Sequence, residues 1–127
     1  MIIAIDDSSD IPIYQQLRNQ IVLGISDGRL KPGEKLPTVR ALATEIGVNV
    51  MTVNRAYQVL KQEGYIVTDR RNGAKVRTEF AGGGKLSAEA EETLRRIASE
   101  AKIAWMTQEE FIRICRGYFL QNRGDGK

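Results

Sequence analysis

Leu36-Pro37-Thr38-Val39-Arg40-Ala41-Leu42-Ala43-Thr44-Glu45-Ile46-Gly47-Val48-Asn49-Val50-Met51-Thr52-Val53-Asn54-Arg55-Ala56-Tyr57-Gln58-Val59-Leu60-Lys61-Gln62 carries two short apolar stripes on either side of one glycine. Val39, Leu42, Ala43 and Ile46 fall at i, i+3, i+4, i+7, and Val53, Ala56, Tyr57 and Leu60 repeat that spacing. Each stripe predicts a helix with one buried face. Thr38 and Asn49 precede the stripes as N-caps, whose side-chain oxygens accept an orphan backbone N–H. Gly47 stands where the first helix must stop, a place that often demands positive φ. Pro37 blocks helical continuation from upstream and favours an extended Leu36. Cap, stripe, glycine, cap and stripe together predict a helix-turn-helix, which holds its second helix out for the DNA major groove.

A wheel drawn on the second helix puts Met51, Arg55, Gln58 and Gln62 opposite the buried stripe, with Asn54 and Lys61 beside them. The first-turn residues Val50, Met51 and Asn54 are those a groove-inserted helix would offer to base edges. Asn and Gln can pair bidentately with adenine, whereas Val and Met make apolar contact, for instance with a thymine methyl. Thr52 and the helix N-terminus suit a phosphate. A polar helix face alone is ordinary solvated surface, so the flanking sequence has to decide.

Downstream, Gly64-Tyr65-Ile66-Val67-Thr68 opens a β-rich run. Asp69-Arg70-Arg71-Asn72-Gly73 and Ala74-Lys75-Val76-Arg77 follow it. Asn72-Gly73 is a strong hairpin signal, because type I′ turns need positive φ at both central residues. Two short strands with a basic tip form a wing, and Arg70, Arg71, Lys75 and Arg77 suit phosphate or minor-groove contact. Upstream, Ile13, Leu17, Ile21 and Ile25 recur every fourth residue after Pro12, which suits a first helical turn. Ser26-Asp27-Gly28 closes that helix, and Leu30-Lys31-Pro32-Gly33 turns into the motif. Residues 2–5 suit a short strand. The order is three helices and a two-stranded wing, an α+β and mostly helical fold.

Several ordered pieces resemble the GntR superfamily of bacterial transcription regulators. They are Pro12-Ile13-Tyr14-Gln15-Gln16-Leu17, the run from Gly28 to Ala43, Gly47-Val48-Asn49, Thr52-Val53-Asn54-Arg55-Ala56-Tyr57 and Glu63-Gly64-Tyr65-Ile66. The chain length and short tail resemble the YtrA subfamily, whose members carry two helices in place of an effector domain. The resemblance implies that Arg40 binds the DNA backbone or a guanine. It also implies that Asn49 to Arg55 begins the recognition helix and that Gly73 lies at the wing tip. Many superfamily members have Arg where this chain has Val50, and often another at Asn54, so their half-site preference does not transfer.

Composition excludes more than it assigns. The 127 residues suit one domain plus an appendage, and 19 basic against 16 acidic residues give a net charge of +3, too mild to argue DNA binding alone. No stretch approaches the ~20 apolar residues of a membrane helix, and no signal peptide opens the chain, which predicts a cytoplasmic protein. The single cysteine allows no intrachain disulfide. No histidine is present, which removes the usual general base and the commonest metal ligand. No Gly-Lys-Ser/Thr phosphate loop occurs either, so neither catalysis nor a metal or cofactor is expected.

Residues 1–80 therefore read as the winged DNA-binding domain, 81–86 as a Gly-rich linker and 87–127 as a helical hairpin. Ser87 is the N-cap of a helix carrying Ala90, Leu94, Ile97, Ala101 and Ala104. Thr107 and Glu110 make a capping box for a second, bearing Phe111, Ile112, Ile114, Cys115, Tyr118 and Phe119. Two such helices cannot enclose a core, so they either pack on the winged domain or dimerise. A two-fold dimer would set two recognition helices one DNA turn, or a multiple of it, apart. Leu94, Ile97, Ala101, Trp105, Phe111, Ile114, Cys115, Tyr118 and Phe119 are its expected interface. Cys115 at an apolar helical position reads as packing, not as a redox sensor. A small-molecule effector among Trp105, Phe111 and Phe119 is open but not indicated. The sequence thus predicts a homodimeric repressor on an inverted-repeat operator. Its expected DNA contacts are Thr38, Arg40, Asn49, Val50, Met51, Thr52, Asn54, Arg55, Gln58, Arg70, Arg71, Asn72, Gly73 and Lys75. The competing reading is a protein-interaction module that uses the winged fold without DNA.

Overall fold

Helix α1 (Ile13–Ser26), α2 (Val39–Ile46) and α3 (Val50–Gln62) are followed by strands β1 (Ile66–Asp69) and β2 (Gly73–Val76). Two further helices, α4 (Ala88–Ile103) and α5 (Gln108–Phe119), complete the order. The computed structural model describes residues 3–71, 73–80 and 83–120. It divides into two units, one within residues 1–80 and the other within 81–121.

In the first unit the predicted stripes converge. Leu17 and Ile21 of α1, Leu42 of α2, Val53, Ala56 and Leu60 of α3 and Val76 of β2 are fully buried, with Ile66 of β1 nearly so. Burying each of these Leu, Ile and Val side chains contributes about 1.5–3 kcal/mol, which is how short helices become stable. No charged or polar side chain among the described residues is buried with them.

The helix ends follow the sequence. Thr38 Oγ1 accepts from Ala41 N at 3.0 Å and Asn49 Oδ1 from Met51 N at 2.7 Å. Gly47, with φ 72°, donates to Ala43 O, and so does Val48. Arg18 of α1 binds Glu63 Oε1 at 2.8 Å, and its guanidinium lies 5.7 Å from the centroid of the Tyr65 ring. This pairing joins α1 to the far end of α3.

Three expectations need correction. Pro12 stands at the N-cap of α1 and not inside its first turn. Among residues 3–5 there is no strand; the Gln20 side-chain amide accepts from Ala4 N and donates to Ala4 O, doing locally what a neighbouring strand would do. Residue 2 lies outside the described residues, as do residues 81, 82 and 121–127 of the expected linker and tail. The wing pairs Asp69 with Gly73, so Gly73 belongs to β2 and not to a two-residue Asn-Gly turn, while Asn72 lies outside the described residues. Asp69 Oδ1 accepts from Arg71 N at 2.8 Å, an Asx turn that fixes the chain's departure from β1.

The segment read as a simple turn also joins the wing. Leu36 N donates to Ala74 O at 2.9 Å, Val76 N to Glu34 O at 2.9 Å and Gly33 N to Val76 O at 3.0 Å. Residues 33–36 thereby cover the open edge of β2.

In the second unit, Ser87 caps α4 and the Thr107–Glu110 capping box starts α5. The Thr107 backbone N–H, then its hydroxyl, hold the Glu110 carboxyl below its usual range. Between the helices Trp105 has φ 63°, while Trp105 N donates to Lys102 O and Met106 N to Ala101 O. That is a Schellman end with tryptophan where glycine normally stands. No side chain of α4 or α5 is buried.

Gly47 is a test of backbone conformation alone, because a Cβ there would meet nothing within 4 Å. Gly47→Ala is expected to lower the unfolding free energy by about 1–2 kcal/mol in a urea titration, the cost of a left-handed alanine.

Candidate nucleic-acid interface

The exposed side of α3 starts at its cap. Val50 is 44% exposed and Met51 73%, so the first turn presents apolar surface that folding leaves unburied. Asn54, Arg55 and Gln58 are exposed further along, and Thr52 is half-buried. Thr38 and Asn49 use one oxygen each on their caps. The Thr38 hydroxyl proton and the Asn49 side-chain N–H groups remain as donors towards an anion. Arg40, in the first turn of α2, is exposed, and among the described residues its side chain makes no hydrogen bond or ion pair.

Tyr57 sets the angle between the two helices of the motif. Its ring is in the core, 4% exposed, and its hydroxyl donates to Pro37 O at 2.7 Å. Burial, and then the negative charge of Glu45, push the hydroxyl pKa well above the usual tyrosine value. Above Tyr57 lies a cleft of about 290 Å³ between α3, the start of α2 and the wing. Thr38, Asn54 and Gln58 line it with Lys61 of α3 and with Thr68, Gly73 and Ala74 of the hairpin. Four of the residues expected from sequence therefore share one concavity.

Others are placed apart from it. The Arg55 guanidinium lies 3.9 Å from the centroid of the Tyr14 ring, a cation–π stack that turns it towards α1. Lys75 stands on the opposite face of the wing from Ala74 and Val76, which are buried. It lines a separate recess with Val67, Arg77, Thr78 and Glu79. Arg70 and Arg71 are exposed at the hairpin end, and Gly73 has φ 70°. Asn72 lies outside the described residues. Sequence reasoning missed Tyr14 and Thr68 and placed Lys61 beside the outward face of α3 without counting it as a contact, although strand alternation around Ala74 and Val76 was enough to put Lys75 on the outer face.

Three helices, a capped recognition helix and a basic hairpin define a winged helix-turn-helix. Residues 12–76, about half of the chain, match the family described as bacterial regulatory proteins, gntR family. The chain belongs to the GntR family. It is 46% identical over 74 residues to the HTH-type transcriptional repressor YtrA of Bacillus subtilis, covering 58% of this chain but only 57% of that protein. Among solved structures it resembles a transcriptional antiterminator from Listeria monocytogenes, with TM-score 0.80, 29% identity and coverage of 93% and 90% of the two chains. YtrA from Sulfolobus acidocaldarius, a GntR-family transcription factor, is 37% identical with TM-score 0.59, over 91% of this chain and 95% of that one. The DNA-binding domain of AraR, solved in complex with operator ORE1, is similar to 60% of this chain at 25% identity, with 93% of its own length covered and TM-score 0.51. These relatives are regulators and not enzymes. No described helix is long and apolar enough to cross a membrane.

The Tyr57 hydroxyl gives a stability prediction with a defined pH window. Tyr57→Phe removes one hydrogen bond to Pro37 and is expected to lower stability by about 0.5–1.5 kcal/mol in urea unfolding at neutral pH. The folded-state pKa is raised, so above pH 10, the ordinary tyrosine value, the unfolded chain loses this proton first. The Tyr57 contribution is whole below that pH and is lost as pH rises beyond it. The gap between wild type and variant should therefore hold up to about pH 10 and narrow as pH rises above it.

Proposed function

We propose that the chain is a sequence-specific transcription regulator acting inside the cell, a repressor that binds an inverted-repeat operator as a homodimer. The observation that carries the reading is the first turn of α3. Val50, Met51 and Asn54 project there without any part in the core, and Asn54 shares the cleft with Thr68 and Gly73 of the wing, whose end exposes Arg70 and Arg71. The operator complex of the AraR domain and the repressor role of YtrA support it by similarity. In this reading Val50 and Met51 meet a thymine methyl or another apolar edge, and Asn54 reads a base by hydrogen bonds. Arg40, Thr38, Thr52 and the α3 N-terminus take phosphates.

The two-fold unit is assigned to α4 and α5. Leu94 and Ile97 are 44% exposed, Ile114 45% and Tyr118 70%, while Ala101 and Phe111 are half-buried. Trp105, Cys115 and Phe119 are exposed as well. Apolar side chains at this density on two short helices need a covering surface, and a second copy supplies an identical one.

Fluorescence anisotropy on duplex DNA from upstream of the protein's own gene, against a scrambled duplex across a salt series, tests the reading. Tighter binding to the natural duplex, saturating at two chains per site, is expected. No binding to any duplex at low salt would overturn it in favour of a protein-interaction module. Arg40→Ala should weaken binding to all sequences and reduce the salt slope by about one. Asn54→Ala should instead shift preference at one base position by about 1–3 kcal/mol, read from a randomised site library. In sedimentation, Ile114→Asp should convert the dimer to monomer.

A further inference from the structure

Lys35 and Lys75 are direct partners across the bridge that joins residues 33–36 to β2. The backbone bonds Leu36 N to Ala74 O and Val76 N to Glu34 O flank them, which makes this a non-hydrogen-bonded pair. Such pairs bring side chains closest together in an antiparallel ladder. Both point to the outer face of the wing, since their neighbours Leu36, Ala74 and Val76 point into the core. Two like charges directly opposite destabilise a sheet unless something lies between them. Among the described residues neither lysine side chain has an ion pair or hydrogen bond. Of the nearby acids, Glu34 accepts from Lys31 N at 2.9 Å, and Glu79 lines the recess beside Lys75 without pairing to it. Arg77, two residues further along the same face, extends the positive surface.

We propose that Lys35 and Lys75 form a phosphodiester site on the outer face of the wing, distinct from the cleft on its inner face. The assignment rests on the DNA-binding reading above. A hairpin that enters a minor groove, which is about 6 Å wide, has a sugar–phosphate strand against each of its faces. The inner face, with Thr68 and the cleft, takes one strand. The lysine pair takes a phosphate of the other, whose two non-bridging oxygens suit two ammonium groups. The site contributes affinity and strand clamping without reading bases.

The full-length chain is titrated with the upstream duplex over a salt series, comparing wild type with Lys35→Gln, Lys35→Arg and Lys85→Gln. Lys35→Gln should reduce the slope of log affinity against log salt by about 0.9, one phosphate contact, and leave base preference unchanged. Lys35→Arg should retain the slope, and Lys85→Gln, which removes the same charge in the linker, should keep it too. Relief of the repulsion should also raise the Tm of Lys35→Gln at low salt. Wild-type binding with an unchanged Lys35→Gln slope would overturn the site while leaving the function standing. An equal loss in Lys85→Gln would overturn it as a mere net-charge effect, and an unraised low-salt Tm would remove its premise. Failure of the wild type to bind any duplex would overturn both.

Discussion

The hydrogen bond from the Tyr57 hydroxyl to Pro37 O, 2.7 Å long, is where the scaffold becomes a device. The ring of Tyr57 is one of the apolar side chains that fasten α3 to the core. Its oxygen reaches past the core to the residue before the cap of α2. The two helices of the motif are thus pinned through one side chain that is too large to change rotamer without opening the interior. The angle at which α3 leaves the domain, the floor of the cleft and the position of the Thr38 cap all depend on that pin.

Around it, the residues that fold the domain and the residues that face outward divide cleanly. Val53, Ala56, Tyr57 and Leu60 are buried, while Val50, Met51, Asn54 and Gln58 are exposed on the same helix. Thr38 and Asn49 belong to both sets, each spending an oxygen on a helix end and keeping donors for a ligand. Capping holds these donors at fixed positions, which lowers the entropy cost of any anion contact they make. Arg55 is a different case. Its stack on Tyr14 couples the orientation of a recognition-helix cation to α1, an element outside the motif.

What could be read from sequence was what short-range chemistry encodes. The caps at Thr38, Asn49, Ser87 and Thr107 and the left-handed Gly47 depend on neighbours within a few residues, and so does each apolar stripe. The helices and the wing followed from them. The pairing of residues 33–36 with β2 has no such signature, because its hydrogen bonds join positions about forty residues apart and the segment itself shows no strand alternation. The Arg18–Glu63 bridge and the Arg55–Tyr14 stack are hidden for the same reason. In the candidate site, the α3 residues were legible from one helical wheel. The opposite facing of Ala74 and Lys75 is written in the alternation of β2, whereas charge alone groups the basic residues of the hairpin without regard to face.

Trp105 is the chain's one tryptophan, 92% exposed and held at φ 63° in the turn between α4 and α5. Three of the four tyrosines, Tyr14, Tyr57 and Tyr65, belong to the winged unit instead. The two units therefore carry separate chromophores. Indole emission, excited at wavelengths where tyrosine is dark, reports the helical hairpin alone, and covering its surface would move a fully hydrated indole towards the blue. The molecule thus comes with a spectroscopic label on one half, by which any covering of the tail can be followed without touching the winged unit.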